Sequence, residues 1–326
     1  MGKKITAAGL LCLLASLLSL CLGAARLSPA QLWSALIQGP GNTAGYIFWY
    51  VRLPRTLGCL LTGSALAVSG GVVQGVLHNK LASPSIIGVN AGAGLAVTVC
   101  CAFGALSGWA IAGSAFLGAM VSVLLIVFAA EKVGASRTTV ILGGVAVNAF
   151  LNALSEAITT LIPEAGMLAG DFRVGGFSSV SYPRLLPGAV LILLGMVLVF
   201  SLHNELDVLS LGSETARSLG MEVKKVRTLL LILSAVLAGS AVSFGGLLGF
   251  IGLIIPHAAR KIVGGESRFL LPMCAIGGGL FVTACDTAAR MAFAPYELPV
   301  GILLSVLGGP FFLLLLVNRK GGRKDA

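Results

Sequence analysis

Charged side chains are scarce in this sequence. Asp, Glu, Lys and Arg together make up 10% of the 326 residues, whereas a soluble domain carries about 25%. No polar interval is long enough to bury a hydrophobic core of its own, which excludes a string of soluble domains. With 57% hydrophobic residues and a mean hydropathy of +0.99, the chain is predicted to be an all-α polytopic membrane protein, with one membrane domain over residues 1–326.

The sequence also lacks the motifs of common catalytic and metal sites. It has no Gly-x-x-x-x-Gly-Lys-Ser/Thr loop, so the chain is not expected to bind ATP in that way. His78, His203 and His257 are far apart, no Cys-x-x-Cys pair occurs, and nothing resembles a Ser or Cys nucleophile with a base. We predict no catalytic residue, metal site or cofactor, and an intramembrane enzyme would lack its catalytic set.

Apolar runs long enough to cross a bilayer, which needs about 20 residues, recur along the chain. The run 228–263 as one helix would be about 54 Å long, against a hydrocarbon core of about 30 Å. It contains Ser243–Gly246, which can turn, and Pro256, so two spans fit better. The ten predicted spans are 5–22, 57–77, 86–106, 109–130, 139–162, 185–202, 228–242, 247–263, 269–293 and 300–317.

The distribution of basic residues predicts the orientation. With ten spans and a cytoplasmic N-terminus, most lysines and arginines fall on the cytoplasmic side. Nine spans would place Arg260, Lys261, Arg268 and the basic tail outside, against the positive-inside rule. Both termini are therefore predicted to be cytoplasmic. Membrane orientation accounts for the net charge of +10, and no nucleic acid partner is expected.

A polar segment, residues 203–227, separates the sixth and seventh predicted spans. Within Leu209–Gly220, Ser213 can act as a helix N-cap and Gly220 can end a helix. Leu211 and Leu219 are apolar residues in polar surroundings. This pattern predicts a short amphipathic helix on the membrane surface, presented to a partner protein. A solvated loop between two spans is the alternative.

Two acidic residues, Glu156 and Asp286, lie within predicted spans. Acids at membrane depth are candidates for function. Asp286 precedes Arg290 by four residues, so the two can form an ion pair on one helix face. Glu156 has no evident partner in the sequence. It could line a polar path, face a neighbouring helix, or serve as the coupling acid of an ion-gradient-driven secondary transporter.

Several motifs follow one another between about Tyr50 and Val317. They are Arg52–Arg55, Ala65–Gly70, Gln74, Asn79–Pro84, Gly88–Val89, Leu209–Gly220, Gly249–Arg260, Glu297–Gly301 and Gly309–Phe311. In this order they resemble the permease subunits of ABC importers for iron–siderophore complexes, haem and cobalamin, the FecCD-like family. Residues 170–177 depart from the Trp-containing outer stretch of that family.

The resemblance implies a multi-pass protein of the bacterial cytoplasmic membrane that moves a metal chelate by alternating access at a dimer interface. Its partners would be a second permease copy, as a homodimer, two cytoplasmic ATPase subunits that use ATP and Mg, and an extracytoplasmic substrate-binding protein. The chain itself would not be an enzyme. Iron–siderophore, haem and cobalamin all stay open as substrates.

The resemblance also implies roles for individual residues. The ATPase-coupling residues would be Leu211, Gly212, Ser213, Glu214, Ala216, Arg217, Leu219 and Gly220. The residues that dock the binding protein would be Arg52, Arg55 and Arg290, and those of the cytoplasmic gate would be Asn79, Leu81, Arg137 and Thr138.

Overall fold

The fold consists of helices joined by short connections. The computed structural model describes residues 1–23, 27–132, 137–292 and 296–321, and these ranges contain no strand. The predicted all-α class is confirmed. The α-helices are α1 Gly2–Cys21, α2 Pro29–Gln38, α3 Thr43–Tyr46, α4 Leu53–Leu77, α5 Val89–Ala102, α6 Gly108–Lys132, α7 Arg137–Leu161, α8 Pro163–Val174, α9 Tyr182–Ser201, α10 His203–Ser210, α11 Ser213–Ser218, α12 Val223–Gly245, α13 Ile251–Val263, α14 Ser267–Ala292 and α15 Val300–Gly321.

Each predicted span contains one of these helices. Among the described residues, 7 helices are long and apolar enough to cross a membrane by length and composition. The helix α5 has 14 residues and is about 21 Å long, shorter than the hydrocarbon core of a bilayer. The ten-span topology and the cytoplasmic placement of the termini therefore stay predictions.

Short helices outside the predicted spans, among them α2 and α8, were missed by the sequence analysis. Pro29–Gln38 begins with a capping box, in which Ser28 accepts from the Gln31 N–H and the Gln31 side chain accepts from the Ser28 N–H. The helix α8 begins with Pro163 in its first turn. A search for long apolar runs does not detect such short helices. The Ser-x-x-Gln pattern before α2 and the proline in the first turn of α8 are nevertheless typical of helix starts.

The stretch 228–263 is divided into two helices. The helix α12 ends at Gly245, and Gly246 has a φ of +73°, a conformation that costs glycine little and side-chain-bearing residues more. The chain then continues to α13, which begins at Ile251. Pro256 lies inside α13 rather than at the break, so the glycine turn and not the proline separates the two helices.

The helix α4 is the buried centre of the fold. Most of its residues are buried, against α12, α13 and α14. A Cβ atom placed on Gly63 would collide with the carbonyl group of Gly278, and one on Gly278 would collide with that of Gly63. The same relation holds between Gly92 of α5 and Gly118 of α6. Close backbone approach through small residues is how helices associate in lipid, where no hydrophobic effect drives them together.

We predict that Gly278→Val lowers the thermal unfolding midpoint of the purified chain in detergent. The added side chain meets backbone atoms of Gly63 that cannot move aside, and overpacking of this kind costs about 1–3 kcal/mol. Gly113→Val is the matched control, because a Cβ at Gly113 of α6 meets no atom within 4 Å. Equal midpoints for the two variants would contradict the close α4–α14 contact.

Candidate functional site

The start of α11 differs from the predicted capping arrangement. Gly212, with a φ of +122°, occupies the N-cap position, and Ser213 is the first helical residue. The Ser213 hydroxyl instead accepts a hydrogen bond from the Arg227 guanidinium of α12 at 2.9 Å. The prediction of Ser213 as the N-cap is wrong, because its side chain is directed to a neighbouring helix rather than to its own backbone.

The end of α11 follows the predicted role of Gly220. Gly220 has a φ of +81° and its N–H donates to the Arg217 carbonyl at 2.9 Å. The Met221 N–H donates to the Ala216 carbonyl at 3.0 Å. These two bonds form a Schellman motif, in which a left-handed residue satisfies the last carbonyls of a helix. Glycine suits the position because it has no Cβ to clash in this conformation.

The exposed surface of the α10–α11 unit, residues 203–220, combines apolar and charged groups. Leu211 and Leu219 are 64% and 63% exposed. Glu214 and Arg217 are exposed beside them, while Ala216 is fully buried and holds the helix against the fold. Large apolar side chains on a polar surface mark candidate contact sites for another protein.

Hydrogen bonds join the α10–α11 unit to the membrane-spanning helices. A ring nitrogen of His78, just after α4, lies 2.6 Å from the Leu209 carbonyl. Asp207 accepts from the Ser267 N–H at 3.0 Å and from its hydroxyl at 2.6 Å, at the start of α14. With the Arg227–Ser213 bond to α12, the unit is tied to three long helices.

The predicted gate residues lie at the ends of α4 and α7. The Asn79 side chain accepts from the Leu81 N–H at 3.0 Å, which closes a tight turn after α4. Thr138 is exposed in the first turn of α7, and the side chain of Arg137 lies outside the described residues. Asn148 of α7, which the sequence analysis missed, donates to the Ser85 carbonyl at 2.9 Å and so ties α7 to the connection before α5. The gate role of these residues stays a prediction.

A buried carboxylate lies beside the first turn of α4, at the end of this helix away from Asn79. Asp286 is fully buried and accepts from the Arg55 Nε and Nη2 atoms, each at 3.0 Å. The Arg290 Nε atom lies 3.1 Å from its second oxygen, which confirms the ion pair predicted from the four-residue spacing. The Arg55 Nη1 atom also donates to Glu297 at 2.6 Å, on the connection before α15. Two guanidinium groups thus compensate one buried carboxylate, the arrangement that a charge in the interior requires.

Arg52 and Arg290 also donate hydrogen bonds to the end of α1. Arg52 donates to the carbonyls of Leu20 and Cys21, each at 2.7 Å. Arg290 donates to the Ser19 hydroxyl at 2.9 Å. Cations are favourable at the carbonyl end of a helix, where the last carbonyl groups have no partner within the helix.

The three arginines of the predicted docking site are buried in this structure. Arg52, Arg55 and Arg290 are only 3%, 6% and 3% exposed, whereas docking of a binding protein requires outward-facing guanidinium groups. Asp286 and the carbonyls of α1 bind them within the chain instead. The role of these arginines in docking a binding protein stays a prediction.

Two cavities flank α4, one near each end. The first has a volume of about 460 Å³ and is lined by Arg55, Asp171, Phe172, Arg184 and Glu297, among others. The second has a volume of about 430 Å³ and is lined by Gln74, His78, Lys80, Asp207 and Arg260, among others. Both combine cationic and anionic groups, and the second adjoins the α10–α11 unit.

Glu156 stands apart from both charged clusters. It is exposed on α7, within the candidate span Thr138–Leu161. Its backbone carbonyl accepts from the Thr160 hydroxyl at 2.9 Å. Among the described residues, no ion pair of its carboxylate is found.

The fold and its apolar helices define the class of a helical membrane permease. The structure matches a solved metal-chelate type ABC transporter in an inward-facing conformation, with a TM-score of 0.88, 30% identity, and coverage of 98% of this chain and 100% of that chain. A weaker likeness, to PsaBC from Streptococcus pneumoniae, has a TM-score of 0.55 at 17% identity and supports the fold alone.

The chain belongs to the FecCD transport family, whose model matches residues 11–318. The iron-uptake system permease FeuB of Bacillus subtilis is 35% identical over 96% of this chain and 94% of its own length. The hemin transport permease HmuU of Yersinia pestis is 34% identical over 93% and 91%. A cobalamin import permease, BtuC of Halobacterium salinarum, is 35% identical over 86% and 76%. The resemblance inferred from the motifs is confirmed.

We predict that Asp286→Asn destabilises the fold by about 3–5 kcal/mol, because it leaves two buried guanidinium groups without their carboxylate. Thermal unfolding in detergent would measure the change. Glu297→Gln is the control, since Glu297 is 34% exposed at its side chain and accepts from one arginine nitrogen. Similar midpoints for Asp286→Asn and wild type would contradict a structural role for the cluster.

Proposed function

We propose that this chain is the permease subunit of an ATP-driven importer of metal chelates. The observation that carries the proposal is the family match over residues 11–318. Relatives with different substrates support it too, because their names describe iron, hemin and cobalamin import permeases. On this proposal the chain is not an enzyme, and a separate subunit hydrolyses ATP with Mg. Import by an ion gradient has no support from these relatives.

The proposed ATPase contact is the α10–α11 unit. Leu211 and Leu219 offer apolar contact area, and Glu214 and Arg217 offer charged contacts around it. The bonds of this unit to α4, α12 and α14 supply a mechanical route from the ATPase to the membrane. Rigid-body movement of these helices would alternate access between the two sides. The remaining coupling residues of the unit are Gly212, Ser213, Ala216 and Gly220.

The rest of the proposed assembly follows from the family. A second copy of the chain would complete the path as a homodimer, and two ATPase subunits would sit on the cytoplasmic side. An extracytoplasmic binding protein would deliver the chelate. We propose a ferric siderophore as the substrate, with haem and cobalamin as alternatives carried by the same machinery.

We predict that Leu219→Asp or Glu214→Ala abolishes co-purification of the chain with its cognate ATPase. Leu219→Asp would place a charge where the ATPase surface needs an apolar side chain, with little effect on folding because Leu219 is 63% exposed. Pull-down from detergent-solubilised membranes is the measurement.

The matched control is Leu106→Asp, since Leu106 is also an exposed leucine, at 47%, on the connection between α5 and α6. It is expected to leave the complex intact. A wild-type chain that imports chelate in proteoliposomes without any ATPase would overturn the proposed function.

A further inference from the structure

The second half of α7, residues 149–161, exposes two different flanks. At about 100° of rotation per residue, we set the buried Ser155 as the reference direction. Asn152, Glu156 and Thr160 lie about 60°, 100° and 140° from it in one sense, and all three are exposed. This flank, which we call the polar flank, carries an amide, a carboxylate and a hydroxyl.

The opposite flank is bulky and apolar. Leu154, Leu161 and Phe150 lie about 100°, 120° and 140° from Ser155 in the other sense. They are 39%, 81% and 63% exposed. Side chains of this kind suit contact with lipid tails, which require no hydrogen bonds. The two flanks therefore meet different surroundings in the membrane.

The polar flank cannot face lipid. A carboxylate in hydrocarbon is expensive, and acids at membrane depth face water or a protein partner. Ala149 and Ala153 are exposed beside Glu156, and small residues at four-residue spacing let another helix approach closely. A second copy of the chain can pack on these alanines, and a water-filled path beside that contact can supply the water that the carboxylate needs.

We propose that Glu156 gives this path a preference for metal chelates of positive or zero charge over anionic ones. The inference rests on the proposed function, and it assigns the chemical class of the cargo. In a two-fold dimer two Glu156 carboxylates face the same path, and rings of acidic side chains favour cations in membrane pathways. For a separation on the order of 7 Å in water, one carboxylate changes the relative rate about threefold for each unit of cargo charge.

The transport test uses one chelator scaffold with three charges. A linear ferric tris-hydroxamate carries a terminal amine that can be left free, acetylated or succinylated, for a charge of +1, 0 or −1. Its ATP-driven uptake is measured in proteoliposomes that contain the chain, its ATPase and saturating binding protein. Because the +1 and −1 chelates differ by two units of charge, Glu156→Gln is expected to lower their uptake ratio by about ninefold for each carboxylate removed. Glu156→Lys is expected to invert the ratio. Glu266→Gln, the same change at an exposed acid before α14, is expected to leave the ratio unchanged.

An accessibility test examines the polar flank without reference to transport. Glu156→Cys is expected to react with a membrane-impermeant, charged thiol reagent, above the background of the native cysteines. Leu154→Cys, on the bulky flank of the same helix, is expected to stay unlabelled in bilayers. An unlabelled cysteine at position 156 would overturn the inference.

The outcomes separate the inference from the proposed function. ATP-driven uptake with the same charge ratio in wild type and Glu156→Gln would overturn the inference alone. Failure of the wild-type chain to take up any of the three chelates, haem or cobalamin with ATP would overturn the proposed function, and the charge preference with it.

Discussion

The buried carboxylate of Asp286 is the constraint on which one end of the bundle depends. It lies on α14, binds Arg55 of α4 on both of its oxygens and pairs with Arg290 one turn further along. Arg55 extends the network to Glu297, and Arg290 extends it to the end of α1. A charge removed from water is tolerated only with such compensation. The network around one carboxylate therefore links α4, α14, the connection before α15 and the end of α1.

The other end of α4 is held in a different way. Gln74 donates to the Gly252 carbonyl of α13 at 3.1 Å and accepts from Arg260. His78 contacts the Leu209 carbonyl, and Asp207 accepts from both the N–H and the hydroxyl of Ser267. Gln74, His78, Asp207 and Arg260 also line the 430 Å³ cavity beside the α10–α11 unit. The two ends of α4 are thus held differently, one by charge compensation around a buried carboxylate and the other by hydrogen bonds at the border of a cavity.

The sequence predicted the features that depend on local spacing. The Asp286–Arg290 pair follows from four-residue spacing, and Gly220 follows from the helix-ending role of glycine. The bonds between Arg55 and Asp286 join residues 231 positions apart, and no local pattern carries that information. For the same reason the burial of Arg52 was missed: a basic residue at a helix end looks the same in sequence whether it faces solvent or caps another helix.

The two acids within predicted spans, Asp286 and Glu156, have different surroundings. Asp286 is fully buried and paired with two arginines of its own chain. Its carboxylate is therefore not accessible to a ligand. Glu156 is exposed on a candidate span, where lipid is not a tolerable neighbour. A carboxylate in such a position is stable only beside water or a protein partner. On our proposal, the side of α7 that carries Glu156 therefore faces the path of the dimer, and the apolar side faces lipid.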